Sequence, residues 1–354
     1  MASNQASLPW IISRRDDLLW FQGSVIAGLC LLAFFVATPY PDSAHLSPSD
    51  PVIVVLFLWG VMFDGTHVWA TYVRSYLAPD ASSRAGIPKS WWWLILAVGP
   101  AVALADAVLA LQGALFSYFL LGAYLWAYWH LVRQHYGFLV LYRRRSGENS
   151  RSGQSLDSFM LWVGCLYPFL RFSLSEPYLE SGLPQLVPVV LLPQLKLILD
   201  LAFCVAMGAA VILAVSGRYE QFRPGPKHLL LTLVILFHVL VFTLLSHLLT
   251  ILATLTIFHN LQYHRIVWQY EAGRGRRPLG GLVPYLASGL MLGLVWYGLR
   301  VPAVVALTNA TARNVVLGLC WGIAFHHYLV DARIWRVRRT PAVAQALDAS
   351  VVQR

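Results

Sequence analysis

Charge is what this sequence has least of. Only 12% of its 354 residues are Asp, Glu, Lys or Arg, against 58% hydrophobic, and the mean hydropathy is +0.61. A soluble domain carries about a quarter charged residues, so a fold bathed in water on all sides is excluded and the chain belongs in lipid. Acidic residues are scarcer than basic ones, 16 against 26. That excess does not point to nucleic acid, because the Lys and Arg residues sit in short loops between apolar stretches, where orientation in a membrane explains them. The four cysteines, Cys30, Cys165, Cys204 and Cys320, each fall inside an apolar stretch with no CxxC spacing, which argues for packing and against disulfides or thiolate ligands. There is no GxGxxG, flavin or iron–sulfur phrase, no repeat of 20 to 50 residues and no low-complexity segment.

What the sequence has in quantity is apolar runs. About 20 apolar residues cross the hydrocarbon core, and runs of that kind fall near 18 to 38, 51 to 77, 91 to 112, 114 to 142, 156 to 174, 195 to 216, 228 to 244, 247 to 269, 282 to 305 and 312 to 335. The reading is an all-α, polytopic transmembrane bundle of about ten spans. It forms a single domain over residues 1–340, with a C-terminal tail, 341–354, that is poorly ordered or lies on the membrane surface. The first run follows Arg14 and Arg15 but is longer than a signal-peptide core and lacks a convincing cleavage site, so it reads as a retained span. Spans seven and eight are the least distinct pair, because Leu229 to Ile257 contains no Gly, Pro or acidic break.

The loops test this count. Lys and Arg favour the cytoplasmic side, and they cluster in alternate loops: Arg14 and Arg15; Arg74, Arg84 and Lys89; Arg143 to Arg145 and Arg151; Arg218, Arg223 and Lys227; Arg274, Arg276 and Arg277; Arg333 and Arg336 to Arg339. The opposite loops, 39 to 50 and 175 to 194, hold Asp42, Asp50, Glu176 and Glu180 but no Lys or Arg. Ten spans with both termini cytoplasmic satisfy the pattern, in the inner membrane if the source is bacterial. Trp91, Trp92 and Trp93 beside Lys89 read as an interfacial anchor.

Seven of the eleven histidines occur in four phrases: DGTHVW with Asp64 and His67, WHLVRQHYG with His130 and His135, FHNLQYH with His259 and His264, and FHHYLVD with His326, His327 and Asp331. The phrases lie on spans two, four, eight and ten, all of which run inwards under the charge pattern. At about 1.5 Å per residue, the first histidine of each phrase lies roughly 18 to 24 Å from the outer end of its span. All four therefore reach the inner edge of the hydrocarbon core, where an ionisable group is costly unless paired, hydrated or ligating.

Local spacing adds to this. Asp64 and His67, and likewise His327 and Asp331, share a helix face, so each carboxylate could ligate or hold an imidazole. His326 and His327 point about 100° apart and suit neighbouring ions. The HxxxxH pairs diverge by about 140° on a regular helix, so each needs a π-bulge, an unwound end or two different metals. His45, His228, His238 and His247 read as ordinary packed polar residues. Seven imidazoles and two carboxylates at one depth are hard to bury without a cation, and an all-nitrogen shell with carboxylate help suits iron, copper or zinc. The count suits two ions, each with room for an exogenous molecule. Asp331, Asn260, Tyr263 and Gln134 adjoin the ligands and could fix imidazole orientation.

The phrases His130 to His135, His259 to His264 and His326 with His327 resemble the clusters of the integral-membrane histidine-rich di-iron enzymes, which include fatty-acid desaturases, lipid hydroxylases and alkane monooxygenases. The resemblance covers about 40 residues in four phrases. HxxHH boxes are missing, the spans number about ten instead of four to six, and the loops leave no cytosolic cap. In style the chain is also similar to the bacterial membrane carotene-cleaving dioxygenases. The resemblance implies two irons held by His67, His130, His135, His259, His264, His326 and His327, with Asp64 as ligand or bridge, and oxidation of a lipid-like substrate by O2, whether by hydroxylation, desaturation or oxidative cleavage. Electrons would come from a ferredoxin or reductase docked on the basic inner face around Arg143 to Arg145 and Arg336 to Arg339. Arg133 and Arg265 are expected to snorkel. The other classes compatible with buried histidines are a b-type haem electron carrier and a metal or proton transporter.

Overall fold

The computed structural model describes residues 9–41, 47–77, 88–219, 222–335 and 341–352. The described residues form helices and no strand: α1 (Arg14–Ala37), α2 (Pro51–Ser75), α3 (Lys89–Val108), α4 (Ala114–Arg145), α5 (Arg151–Ser173), α6 (Leu192–Val215), α7 (Pro226–Leu244), α8 (Leu248–Ala272), α9 (Leu282–Ala306), α10 (Ala310–Ile334) and α11 (Pro341–Val352). Eight of them, α1 to α4, α6, α7, α9 and α10, are long and apolar enough to cross a membrane, which makes the chain an integral, multi-pass membrane protein. The expected fifth and eighth spans coincide with α5 and α8, which have the length but also carry Arg151, Asp157 and Arg171, or Arg265, Gln269 and Glu271.

Local chemistry sets the helix limits. Pro51 and Pro226 open α2 and α7 at positions where the missing N–H costs nothing. Ser150 caps α5 through Gly153 N, and Asn309 caps α10 through Ala312 N at 2.9 Å. The tight turn after α3 needs left-handed backbone at Ala110, Gln112 and Gly113. Both oxygens of the Asp106 carboxylate hold that turn, accepting from Gly113 N and Leu115 N at 2.7 Å each. Leu245 takes an extended conformation and ends α7, so the long apolar run from Leu229 is two helices. The tail is helical where it is described, and α11 buries Val343, Ala344, Ala346 and Leu347.

The chain folds as two compact units. The first comprises residues 1–32, 129–181 and 185–259, and the second residues 33–128, 182–184 and 260–354. In the first, α5 packs on α6 and α7. There Arg143 at the end of α4 and Lys227 at the start of α7 share the carboxylates of Glu148 and Asp157 in four contacts of 2.6 to 2.9 Å. Arg143 is thus committed inside the protein, while Arg336 to Arg339 lie outside the described residues.

In the second unit α3 lies along α10 and α2 along α9, each pair at the close range that small residues allow. A Cβ on Gly99 would stand 2.4 Å from the Gly318 carbonyl oxygen, and one on Gly65 would stand 2.4 Å from Gly293 Cα. Within α2 the segment Gly60–Asp64 widens into a π-turn, and the ring of Tyr297 takes the space that a side chain at Gly60 would need. This wide turn lies immediately before His67.

Candidate metal centre

The second unit holds a closely knit polar group. His67, on the face of α2 just past the π-turn, meets His327 of α10 with Nε2 facing Nε2 at 2.9 Å. Asp331, one turn beyond His327, brings Oδ2 to 3.8 Å from His327 Nε2. All three residues are buried, and each offers a ligand atom within 4.8 Å of the others.

A hydroxyl network sets the direction of these groups. Thr71 Oγ1 donates to Asp331 Oδ1 at 2.8 Å, and the same oxygen stands 2.8 Å from His327 Nδ1. A threonine hydroxyl has one hydrogen. With that hydrogen given to the carboxylate, Nδ1 of His327 must be the donor, which leaves the Nε2 lone pair pointing at His67. Tyr263 donates to the same Asp331 Oδ1 at 2.6 Å, lies 2.7 Å from Thr71 Oγ1, and presents its ring edge-on to the His67 ring at 4.4 Å. Asp331 Oδ1 is therefore saturated by hydroxyls, and Oδ2 is the oxygen turned towards the imidazoles.

The spacing suits a cation. Metal–nitrogen bonds of about 2.0–2.1 Å at right angles place two ligand nitrogens about 2.9 Å apart, the separation of His67 and His327. The same bonds put each ring centroid about 3.2 Å from the ion and two such centroids about 4.5 Å apart, again as observed.

The other expected ligands are placed differently. Asp64 accepts from Tyr297 Oη at 2.6 Å, and Arg300 donates to that same phenol at 3.3 Å. His264 is flanked on both nitrogens, by Thr66 Oγ1 at 3.0 Å and Tyr285 Oη at 2.8 Å. His326 points away from its neighbour, as adjacent positions require, and its ring lies 3.9 Å from that of Trp92, tilted 45° to it, between the phenols of Tyr72 and Tyr76. Asn260 is fully buried, and neither of its amide atoms has a hydrogen-bond partner among the described residues.

In the first unit His130 and His259 meet with ring centroids 5.3 Å apart. Two imidazoles at a tetrahedral ion would stand about 5.2 Å apart on the same bond lengths. Gln134 donates to the His259 carbonyl at 2.9 Å. His135 turns instead to His238 at 5.9 Å and Phe258 at 5.2 Å. α4 and α8 stay α-helical through both HxxxxH pairs, so the expected bulge or unwound end is not found there. The divergence is resolved by separate partners, and the π-turn occurs on α2.

Sequence reasoning missed Thr71, Tyr285, Tyr297, Arg300 and Trp335. Only Thr71 left a signal, being a polar residue one turn after His67 on the same face of α2. Fold and site together define a class: a polytopic α-helical membrane protein with a buried histidine–carboxylate group suited to a metal. No protein-family model matches the chain, and neither the curated proteins nor the solved structures include a significant match to it.

Proposed function

We propose that the chain is a membrane oxidoreductase that uses histidine-ligated iron and O2 to hydroxylate, desaturate or cleave a lipid-like substrate. The observation that carries this reading is the facing Nε2 pair of His67 and His327, with Asp331 Oδ2 beside it. Imidazole and carboxylate ligands suit iron, with zinc or copper as lesser alternatives. His67, His327 and Asp331 would hold one ion, and His130 and His259 would hold a second. His135, His264, His326 and Asp64 keep the protein partners described above.

When bound, iron would supply the oxidising chemistry, and the protein supplies placement. Thr71 fixes the His327 tautomer and, with Tyr263, holds Asp331 so that Oδ2 faces the imidazoles. An apolar substrate would enter sideways from the bilayer, and a ferredoxin or reductase would bring electrons to the cytoplasmic end. The pair geometry speaks against haem between His67 and His327, since two axial nitrogens stand about 4 Å apart, twice a metal–nitrogen bond.

Metal analysis with optical and Mössbauer spectra of the protein purified in detergent tests the proposal. About two irons per chain and no Soret band are expected. Protein that takes up no iron, or that carries haem, removes it.

A further inference from the structure

The surroundings of Tyr263 are richer than a merely orienting phenol needs. Its ring stands 4.4 Å from the ring of His67 on one side and 6.0 Å from the indole of Trp335 on the other, and Trp335 Nε1 donates to Tyr263 Oη at 3.1 Å. The phenol hydrogen points at Asp331 Oδ1, 2.6 Å away. Tyr263 is fully buried and Trp335, just past the end of α10, is partly exposed. Two aromatic rings in near contact therefore link the candidate ligands to the surface of this unit.

The neighbours of the indole determine where such a path ends. Tyr270 follows at 5.8 Å from Trp335, but Arg74 lies 3.7 Å over its ring and Arg274 donates to its hydroxyl at 3.1 Å. Cations this close to a π-face stabilise the neutral ring and oppose removal of an electron from it. Arg74 is further from Trp335, at 5.2 Å. Of the two rings Trp335 has the more distant cation, and Tyr270, with Arg74 nearest, closes the path behind it.

We infer that Tyr263 and Trp335 form a one-electron relay into the metal site, an inference that rests on the redox reading above. Tyr263 passes one electron to the oxidised site while its O–H bond breaks and the proton moves to Asp331 Oδ1. Trp335 then gives one electron to the Tyr263 phenoxyl, and the proton returns from Asp331 to the phenol oxygen. A reduced iron–sulfur or flavin protein supplies one electron to the oxidised indole. The net change is one electron carried inwards, with Tyr263, Trp335 and Asp331 restored. The donor–acceptor geometry keeps proton and electron together, which buried phenols require because phenol oxidised without deprotonation is a charge in an apolar site.

The test uses metal-free full-length protein in detergent, so it does not depend on iron. A ruthenium polypyridyl photo-oxidant is attached at Arg277→Cys in a Cys30→Ser, Cys204→Ser background, and radicals are read by freeze-quench EPR after flash oxidation. A tyrosyl signal is expected that disappears in Tyr263→Phe, forms at least tenfold more slowly in Trp335→Phe and recovers in Trp335→Tyr. Unchanged tyrosyl yield in Tyr263→Phe, or unchanged rate in Trp335→Phe, overturns the relay. Iron content of the same variants separates the two ideas: wild-type protein that binds no iron overturns the metal reading, whatever the radicals do.

Discussion

Tyr297 of α9 donates its hydroxyl hydrogen to Asp64 of α2 at 2.6 Å. Arg300, one turn along α9, donates to the same phenol and lies 5.5 Å over the rings of both Tyr297 and Trp321. A carboxylate, a phenol and a guanidinium are thus joined inside a helical pair, which offsets the cost of the carboxylate in an apolar setting. Removing the phenol hydroxyl leaves the acid without its donor. Tyr297→Phe should cost about 1–3 kcal/mol, read as a lower Tm in detergent, with iron content unchanged. Loss of iron at unchanged Tm would instead put Asp64 among the ligands.

Thr71 touches His327, Asp331 and Tyr263 through one oxygen. Thr71→Val keeps the shape and deletes that oxygen, so His327 loses the acceptor that fixes its tautomer. Metal affinity should fall about 10–100-fold, the usual effect of removing a hydrogen-bond partner of a ligand, as measured by chelator competition. Thr71→Ser should restore most of it. Equal affinities in wild type and Thr71→Val would show that the hydroxyl does not orient the imidazole.

The histidines should separate into two groups on substitution. His67→Ala and His327→Ala remove ligand atoms and should abolish binding of the ion they hold, as measured by metal analysis. His264→Ala removes a ring whose nitrogens are taken by Thr66 and Tyr285, so it should retain iron and lose stability instead, about 1–3 kcal/mol for the buried Tyr285 hydroxyl left without its imidazole partner. Loss of iron in His264→Ala would mean that this ring swings to the metal.

The helices were legible in the sequence because about 20 apolar residues permit few alternatives. The end of α7 was not, since Leu245 becomes extended in a run of leucines with no local breaker. His67 and His327 could be placed at one level by counting residues, and the structure joins them. Depth does not fix rotation about the helix axis, however, and a wide turn such as Gly60–Asp64 leaves no composition signal. Nor could counting show which imidazoles would be claimed by hydroxyls, in a chain with 16 tyrosines. Tyr285 bonds to His264, Tyr72 and Tyr76 flank His326, and Tyr297 donates to Asp64.

The charge cluster of the first unit offers a test of stability apart from the metal. Arg143, Glu148, Asp157 and Lys227 balance two positive charges against two negative ones, with side chains only 5 to 18% exposed. Deleting one member leaves an uncompensated charge in a largely buried setting, which costs up to about 3–5 kcal/mol, whereas replacing a buried pair by apolar groups of similar size is close to neutral. Asp157→Leu alone should therefore lower Tm sharply, and adding Lys227→Met should recover much of the loss, because the second change removes the cation stranded by the first. The difference between the double and single variants, followed by thermal unfolding in detergent, measures the coupling. Additive losses would show that the four side chains act independently and that solvent already reaches them.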